Sequence, residues 1–208
     1  MLISDSHEFV FVHVRRAAGT SIRTQLEEYA LPRRRNLVTR GFSRLGLVRD
    51  YHRHAFRAHA PLRAAWKTMP PDRYASYFKF AFVRNPWERL VSEYEYVRGC
   101  DGHARRDRVA GMGFPEFVRY QSGRRDGDEV DMLLGPDGDI GVDLVGRVER
   151  LQEDYDVVCE RLGIPSARLP HLNVGGNRDY RDYYDDDTAA FVATCWESAI
   201  SAFGYRFT

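Results

Sequence analysis

Apolar positions fall into short dense runs, each followed by a stripe at helical spacing. Phe9-Val10-Phe11-Val12-His13-Val14 is nearly all apolar and rich in β-branched and aromatic residues, the pattern of a strand covered on both faces. Gly19-Thr20-Ser21 then offers a turn and a cap, with Ile22, Leu26 and Tyr29 along one helix face. Phe78 and Phe80-Ala81-Phe82-Val83 predict a second buried strand ending at Arg84. Asn85 as N-cap, Pro86 at the first helical position and Glu88 at the third start a helix whose stripe is Trp87, Leu90, Val91 and Tyr94. Leu144–Val148 predicts a third strand, before a helix carrying Leu151, Tyr155, Val158 and Leu162 that stops at Gly163 and Pro165. Near the end, Asp185-Asp186-Asp187 places negative charge at a helix start, Val192, Trp196, Ala199 and Phe203 form the stripe, and Gly204 closes it. Repeated strand–helix units predict an α/β fold around a mainly parallel sheet with helices on both faces. Residues 99–141, rich in Gly and charge, read as loops or short helices.

Composition narrows this picture. The 208 residues read as one domain, 1–208, without repeats or low-complexity linkers. At 43% hydrophobic and 13% aromatic the chain has enough core to exclude global disorder. No apolar run approaches the ~18 residues of a membrane span, and a first strand at Phe9 leaves no room for a signal peptide. A formal charge of +1 argues against bulk nucleic-acid binding. Cys100, Cys159 and Cys195 are odd in number and widely spaced, fitting neither a disulfide framework nor a zinc cluster, so a reducing cytoplasm is expected. Of the 31 basic residues only Lys67 and Lys79 are lysines, so a site needing a cation will show Arg. Residues 31–65 concentrate nine arginines and three histidines, His52, His54 and His59, against the single acid Asp50. That stretch reads either as a solvated face or as a guide for an anionic ligand.

Two strand-to-helix junctions carry the chemistry. The loop Arg15-Arg16-Ala17-Ala18-Gly19-Thr20-Ser21 opens a helix after a buried strand, presenting backbone N–H groups and a positive dipole end to an oxyanion. It lacks GxxxxGK[ST], which disfavours a sugar kinase of the nucleotide-triphosphate type. At the second junction Arg84 ends a strand, and Asn85, Arg89, Ser92 and Tyr96 share one helix face. Arg84 and Ser92 can converge on one anion; alternatively Arg84 pairs with a carboxylate and Ser92 is a solvated hydroxyl. Two such sites at strand ends fit a ligand with two separated anionic groups.

These segments resemble a known family. FVFVHVRRAAGTSI is similar to the 5′-phosphosulfate loop of carbohydrate sulfotransferases, usually PKTAGTS, and FKFAFVRNPWERLVSEY resembles their 3′-phosphate motif, RNPxxRxxSxY. LPHLN and RDYRDYYDDDT…FGYRF resemble bacterial members of the group that includes the uronyl and heparan sulfate 2-O-sulfotransferases. The resemblance implies a P-loop-like three-layer fold and transfer of a sulfuryl group from PAPS (3′-phosphoadenosine 5′-phosphosulfate) to a hydroxyl of a carbohydrate or sugar-containing metabolite. PAP is released and no metal is needed. It implies that Arg15 to Ser21 hold the 5′-phosphosulfate and that Arg84 and Ser92 hold the 3′-phosphate. The family's catalytic Lys aligns with Arg16 and its preceding Pro with Arg15. Arg supplies charge and donors but is bulkier, planar and a poor proton donor. A working Arg16, a slow enzyme, and a PAP(S)-binding protein with little turnover all stay open.

Attack by a hydroxyl benefits from a base near neutrality, which points to His. His59, in FRAHAPL, lies where the 2-O-like members carry a histidine and is the expected base; the alternative is a histidine packed at the sheet edge. His52 and His54 are solvated rivals, His13 reads as a core residue, and His171 as a residue of loop order or donor binding. His7 and His103 read as surface residues. Asp179, Asp182 and Asp185–Asp187 read as capping or solvated charges, since no hard-cation loop spacing is present.

Overall fold

The structure, a computed structural model, describes residues 1–30, 56–124, 129–169 and 179–208. His52, His54, His171 and most of the arginine-rich stretch lie outside the described residues.

The elements in chain order are β1 (Leu2–Ser4), β2 (Phe9–Val12), α1 (Gly19–Leu26), α2 (Arg63–Trp66), α3 (Pro71–Ser76), β3 (Phe78–Val83), α4 (Pro86–Gly99), α5 (Arg106–Val109), α6 (Phe114–Ser122), α7 (Glu129–Leu133), β4 (Leu144–Arg147), α8 (Leu151–Leu162), α9 (Asp186–Cys195) and α10 (Glu197–Phe203). The architecture is α/β, a four-stranded, mainly parallel sheet flanked by helices, as the pattern predicts. The chain divides into two compact units, Met1–Val83 with Asp131–Pro170, and Arg84–Val130 with His171–Thr208.

The first unit holds the sheet, in the order β1-β2-β3-β4. Phe9, Val10, Phe11 and Val12 have no exposure, which is why this strand lacks the alternation of a half-buried one. β2 pairs in parallel with β3 (Phe9↔Phe78 to Val12↔Ala81) and β3 with β4 (Phe80↔Leu144 to Val83↔Arg147), so the three strands end on the same edge. Ligands of open parallel sheets bind beyond such carboxyl ends. Gly146 is required by packing: a Cβ there would lie 2.5 Å from the Phe82 ring. At the opposite end of β3, Asp143 accepts from the Lys79 amide at 2.7 Å and pairs with its ammonium at 3.2 Å, tying β3 to the segment entering β4. α8 buries Tyr155, Val158, Cys159 and Leu162 and stops at Gly163 (φ 65). Three details differ from the sequence reading. β1 pairs antiparallel with β2, a strand of three residues too short to show a period. β2 ends at Val12, leaving His13 and Val14 to start the loop. Gly19, Thr20 and Ser21 form the first turn of α1 rather than its cap, and Tyr29 lies beyond the helix.

In the second unit α4 buries Trp87, Leu90, Val91 and Tyr94, the stripe read from the sequence. Tyr94 meets the rings of Phe114 and Phe117 on α6 at 5.4 and 5.1 Å. The C-terminal stripe is carried by two helices, α9 and α10, broken at Trp196 (φ −116, ψ 27). Asp185 caps α9 by accepting from the Thr188 amide at 2.7 Å, and the hydrogen bonds from Thr188 hold its carboxyl below the usual range.

Candidate functional site

In the first unit the chain leaves β2 at Val12 and enters α1 at Gly19. Arg16 (φ 60) and Ala18 (φ 54) are both left-handed, a conformation that costs non-glycine residues energy and turns successive N–H groups toward one side. Ala18 is the N-cap and offers no side-chain hydrogen bond; α1 has no acid in its first turn. The first bond within the helix runs from the Ile22 amide to the Ala18 carbonyl, 3.2 Å, so the turn Gly19-Thr20-Ser21 presents its amides beyond the helix ladder. Ala17, Gly19 and Ser21 are buried, Arg16 and Ala18 half-buried, and Arg15 and Thr20 exposed. Ile22 and Leu26, with no exposure, hold α1 in the core beneath.

The same unit brings His59 to this loop. Its Nδ1 lies 2.9 Å from the His13 carbonyl oxygen, and the two rings meet edge-on with centroids 4.4 Å apart. A carbonyl only accepts, so Nδ1 carries the hydrogen, and Nε2 of the neutral imidazole holds the lone pair. The Leu62 amide bonds the Met132 carbonyl at 2.8 Å, and Leu62 and Ala60 are buried, so the segment bearing His59 is fixed on both protein contacts and backbone. His59 itself is half-buried, which leaves part of the ring open to solvent.

In the second unit Asn85 caps α4 as its sequence implies: Oδ1 accepts from the Trp87 amide at 3.0 Å, and Nδ2 donates to the Arg206 carbonyl at 3.0 Å. Arg84 donates from Nη2 to Glu88 at 2.7 Å, the carboxylate pairing that the sequence left open. Its buried Nε has no hydrogen-bond partner among the described residues, so the guanidinium keeps donor capacity for an anion. Ser92 is not a solvated hydroxyl; it is 6% exposed. Of its face-mates, Arg89 is buried in an ion pair with Glu129 (3.3 Å), and Tyr96 is exposed.

Sequence reasoning missed what holds this helix start. Trp87 donates from Nε1 to the Ala189 carbonyl at 3.0 Å, and Phe207 packs on its indole at 5.7 Å. Tyr184 donates to the Trp87 carbonyl at 2.8 Å; burial pushes its phenol up, so it remains a donor. In the sequence Tyr184 and Phe207 stand only as part of a stretch resembling the family, with no pointer to Trp87. Among the described residues no group of three or more His, Cys, Asp or Glu could hold a metal ion. None of their helices is long and apolar enough to cross a membrane.

The fold is a mainly parallel α/β sheet in which α1 starts without a side-chain cap and α4 starts at Arg84-Asn85-Pro86. Residues 1–190 match the sulfotransferase family, and the chain belongs to it, a family of PAPS-dependent transferases. It is similar to an uncharacterized protein of Archaeoglobus fulgidus, 30% identical over 107 residues that cover 50% of this chain and 83% of that one. It is also similar to carbohydrate sulfotransferase 14 of Danio rerio, 32% identical over 132 residues that cover 49% of this chain and 36% of that one. No solved structure matches the chain.

Proposed function

We propose that the protein moves a sulfuryl group from PAPS to a hydroxyl of a carbohydrate or sugar-containing metabolite, releasing PAP. The amides of Gly19, Thr20 and Ser21, with the loop Arg15-Arg16-Ala17-Ala18, bind the 5′-phosphosulfate; Arg84 and Ser92 bind the 3′-phosphate. The acceptor oxygen attacks sulfur in line, the S–O bond to PAP breaks, and the hydroxyl proton passes to Nε2 of His59. Positioning and charge stabilisation supply the rate, with Arg16 placed to neutralise charge on departing PAP. The observation that most supports this reading is the His59 Nδ1–His13 carbonyl bond, which ties the expected base to the residue that opens the anion loop.

The family match spans both compact units, which supports a single sulfotransferase domain over residues 1–208. Within the family, the resemblance of its motifs to the uronyl and heparan sulfate 2-O-sulfotransferases favours a 2-O-like acceptor site. Arg57 and Arg63, exposed on either side of His59 in the chain, favour an anionic acceptor. Free Cys100, Cys159 and Cys195 are consistent with a reducing cytoplasm.

The test is transfer of label from radiolabelled PAPS to a panel of neutral and uronate-bearing saccharides in EDTA. Labelled product is expected; its absence on every acceptor, with PAP still bound, supports the PAP(S)-binding protein with little turnover. Arg16→Lys separates these readings further. Transfer is expected to hold or rise, because Lys adds a proton donor at the bridging oxygen. Total loss would mean that the guanidinium itself is required.

A further inference from the structure

We propose that His13 is a positioning residue that locks the proton acceptor to the anion loop, a role that rests on the donor-binding reading above. Inside the first unit His13 touches the start of α1, His59 and the sheet residue Phe11. Its ring occupies the space a side chain on Gly19 would need: a Cβ there would lie 1.8 Å from Cδ2 and 2.1 Å from Nε2. The same ring meets the His59 imidazole at 4.4 Å, and the His13 carbonyl accepts from His59 Nδ1 at 2.9 Å. Phe11, with no exposure, stacks on the ring at 6.0 Å and 15°, fixing its plane from the sheet side. His13 itself is 7% exposed.

The first residue of α1 and the imidazole of His59 are therefore registered against one flat side chain. A shift of α1 moves the ring, and the ring moves His59. This explains why a glycine opens α1: the close approach of the ring leaves no room for a Cβ. It also explains why a buried His stands just past the end of β2, where a smaller apolar residue would fill the core but leave His59 unsupported on that side. An error of about 1 Å in such a register costs roughly 10²-fold in rate.

The experiment compares wild type, His13→Ala, His13→Phe, Gly19→Ala and the His13→Ala/Gly19→Ala pair. PAP affinity is read by calorimetry, and kcat and KM with PAPS on the best acceptor of the saccharide panel. His13→Ala is expected to lower kcat by roughly 10- to 100-fold while PAP affinity stays within about threefold. His13→Phe, which keeps a flat ring on Phe11, is expected to recover most of the loss. Gly19→Ala alone is expected to weaken PAP binding at least about tenfold, and removing the ring in the double variant to restore it. An unchanged kcat in His13→Ala, equal losses of kcat and PAP affinity without rescue by Phe, or additive effects in the pair would overturn the proposal. Failure of wild type to bind PAP would instead overturn the donor reading and, through it, this role.

Discussion

The two strand-to-helix junctions solve one physical problem in opposite ways. Every helix start leaves backbone N–H groups without partners in the ladder, and something must accept from them. At α4 the protein supplies the acceptor itself: Asn85 Oδ1 takes the Trp87 amide, Pro86 removes another donor, and Glu88 sits in the first turn. At α1 the cap is a left-handed alanine without a side-chain bond, and the first turn carries no acid. A self-capped helix start has little left for an anion, so the proposed binding there rests on side chains such as Arg84. A start without a side-chain cap is where we propose that backbone amides meet the donor. In the proposed reading, side chains serve one anionic group of the donor and backbone amides the other.

The largest expected effect belongs to the group that neither junction can replace. His59→Ala is expected to cut turnover roughly 10²-fold or more while leaving PAP affinity near wild type; an unchanged rate removes it as the base. Next, Arg84→Ala deletes the side-chain donor of the capped junction, weakening PAP by about 1.5–3 kcal/mol, or roughly 10- to 100-fold, in a titration. AMP, lacking the 3′-phosphate, should bind the variant as it binds wild type. Ala18→Asp fills the open start of α1 with the negative charge that the ligand would bring. It should weaken both PAP and AMP roughly tenfold without lowering the melting temperature, and unaltered affinity would contradict an anion site there. Smallest is Asn85→Ala, which opens the capped start: a loss of about 1 kcal/mol in stability, or ~2–4 °C in Tm, with only a modest change in PAP affinity.

Much of this was legible because its physical signals are local. β2 and β3 are covered on both faces, so their sequences are unbroken apolar runs, and the Asn85-Pro86-Trp87-Glu88 start is written in four adjacent residues. The break at Trp196 was hidden because Val192, Trp196, Ala199 and Phe203 keep a continuous stripe across it. β1 was hidden by its length. The burial of Ser92 depends on what packs over α4, which spacing along one helix does not reveal. The His13–Gly19–His59 contact joins residues up to 46 positions apart and becomes visible only when the loop is folded.

The arginine in place of the family lysine acquires a setting from this comparison. Arg16 is one of the two left-handed residues of the loop and half-buried, in the junction proposed to bind the donor through its backbone.

The most direct measurement is a calorimetric comparison of PAP with AMP on the wild-type protein in EDTA. Two anion sites serving one donor require PAP to bind at least about tenfold more tightly than AMP, the yield of one charge-assisted contact set. Equal affinities would mean that Arg84 and Ser92 do not read a 3′-phosphate, and the account would fail at its centre.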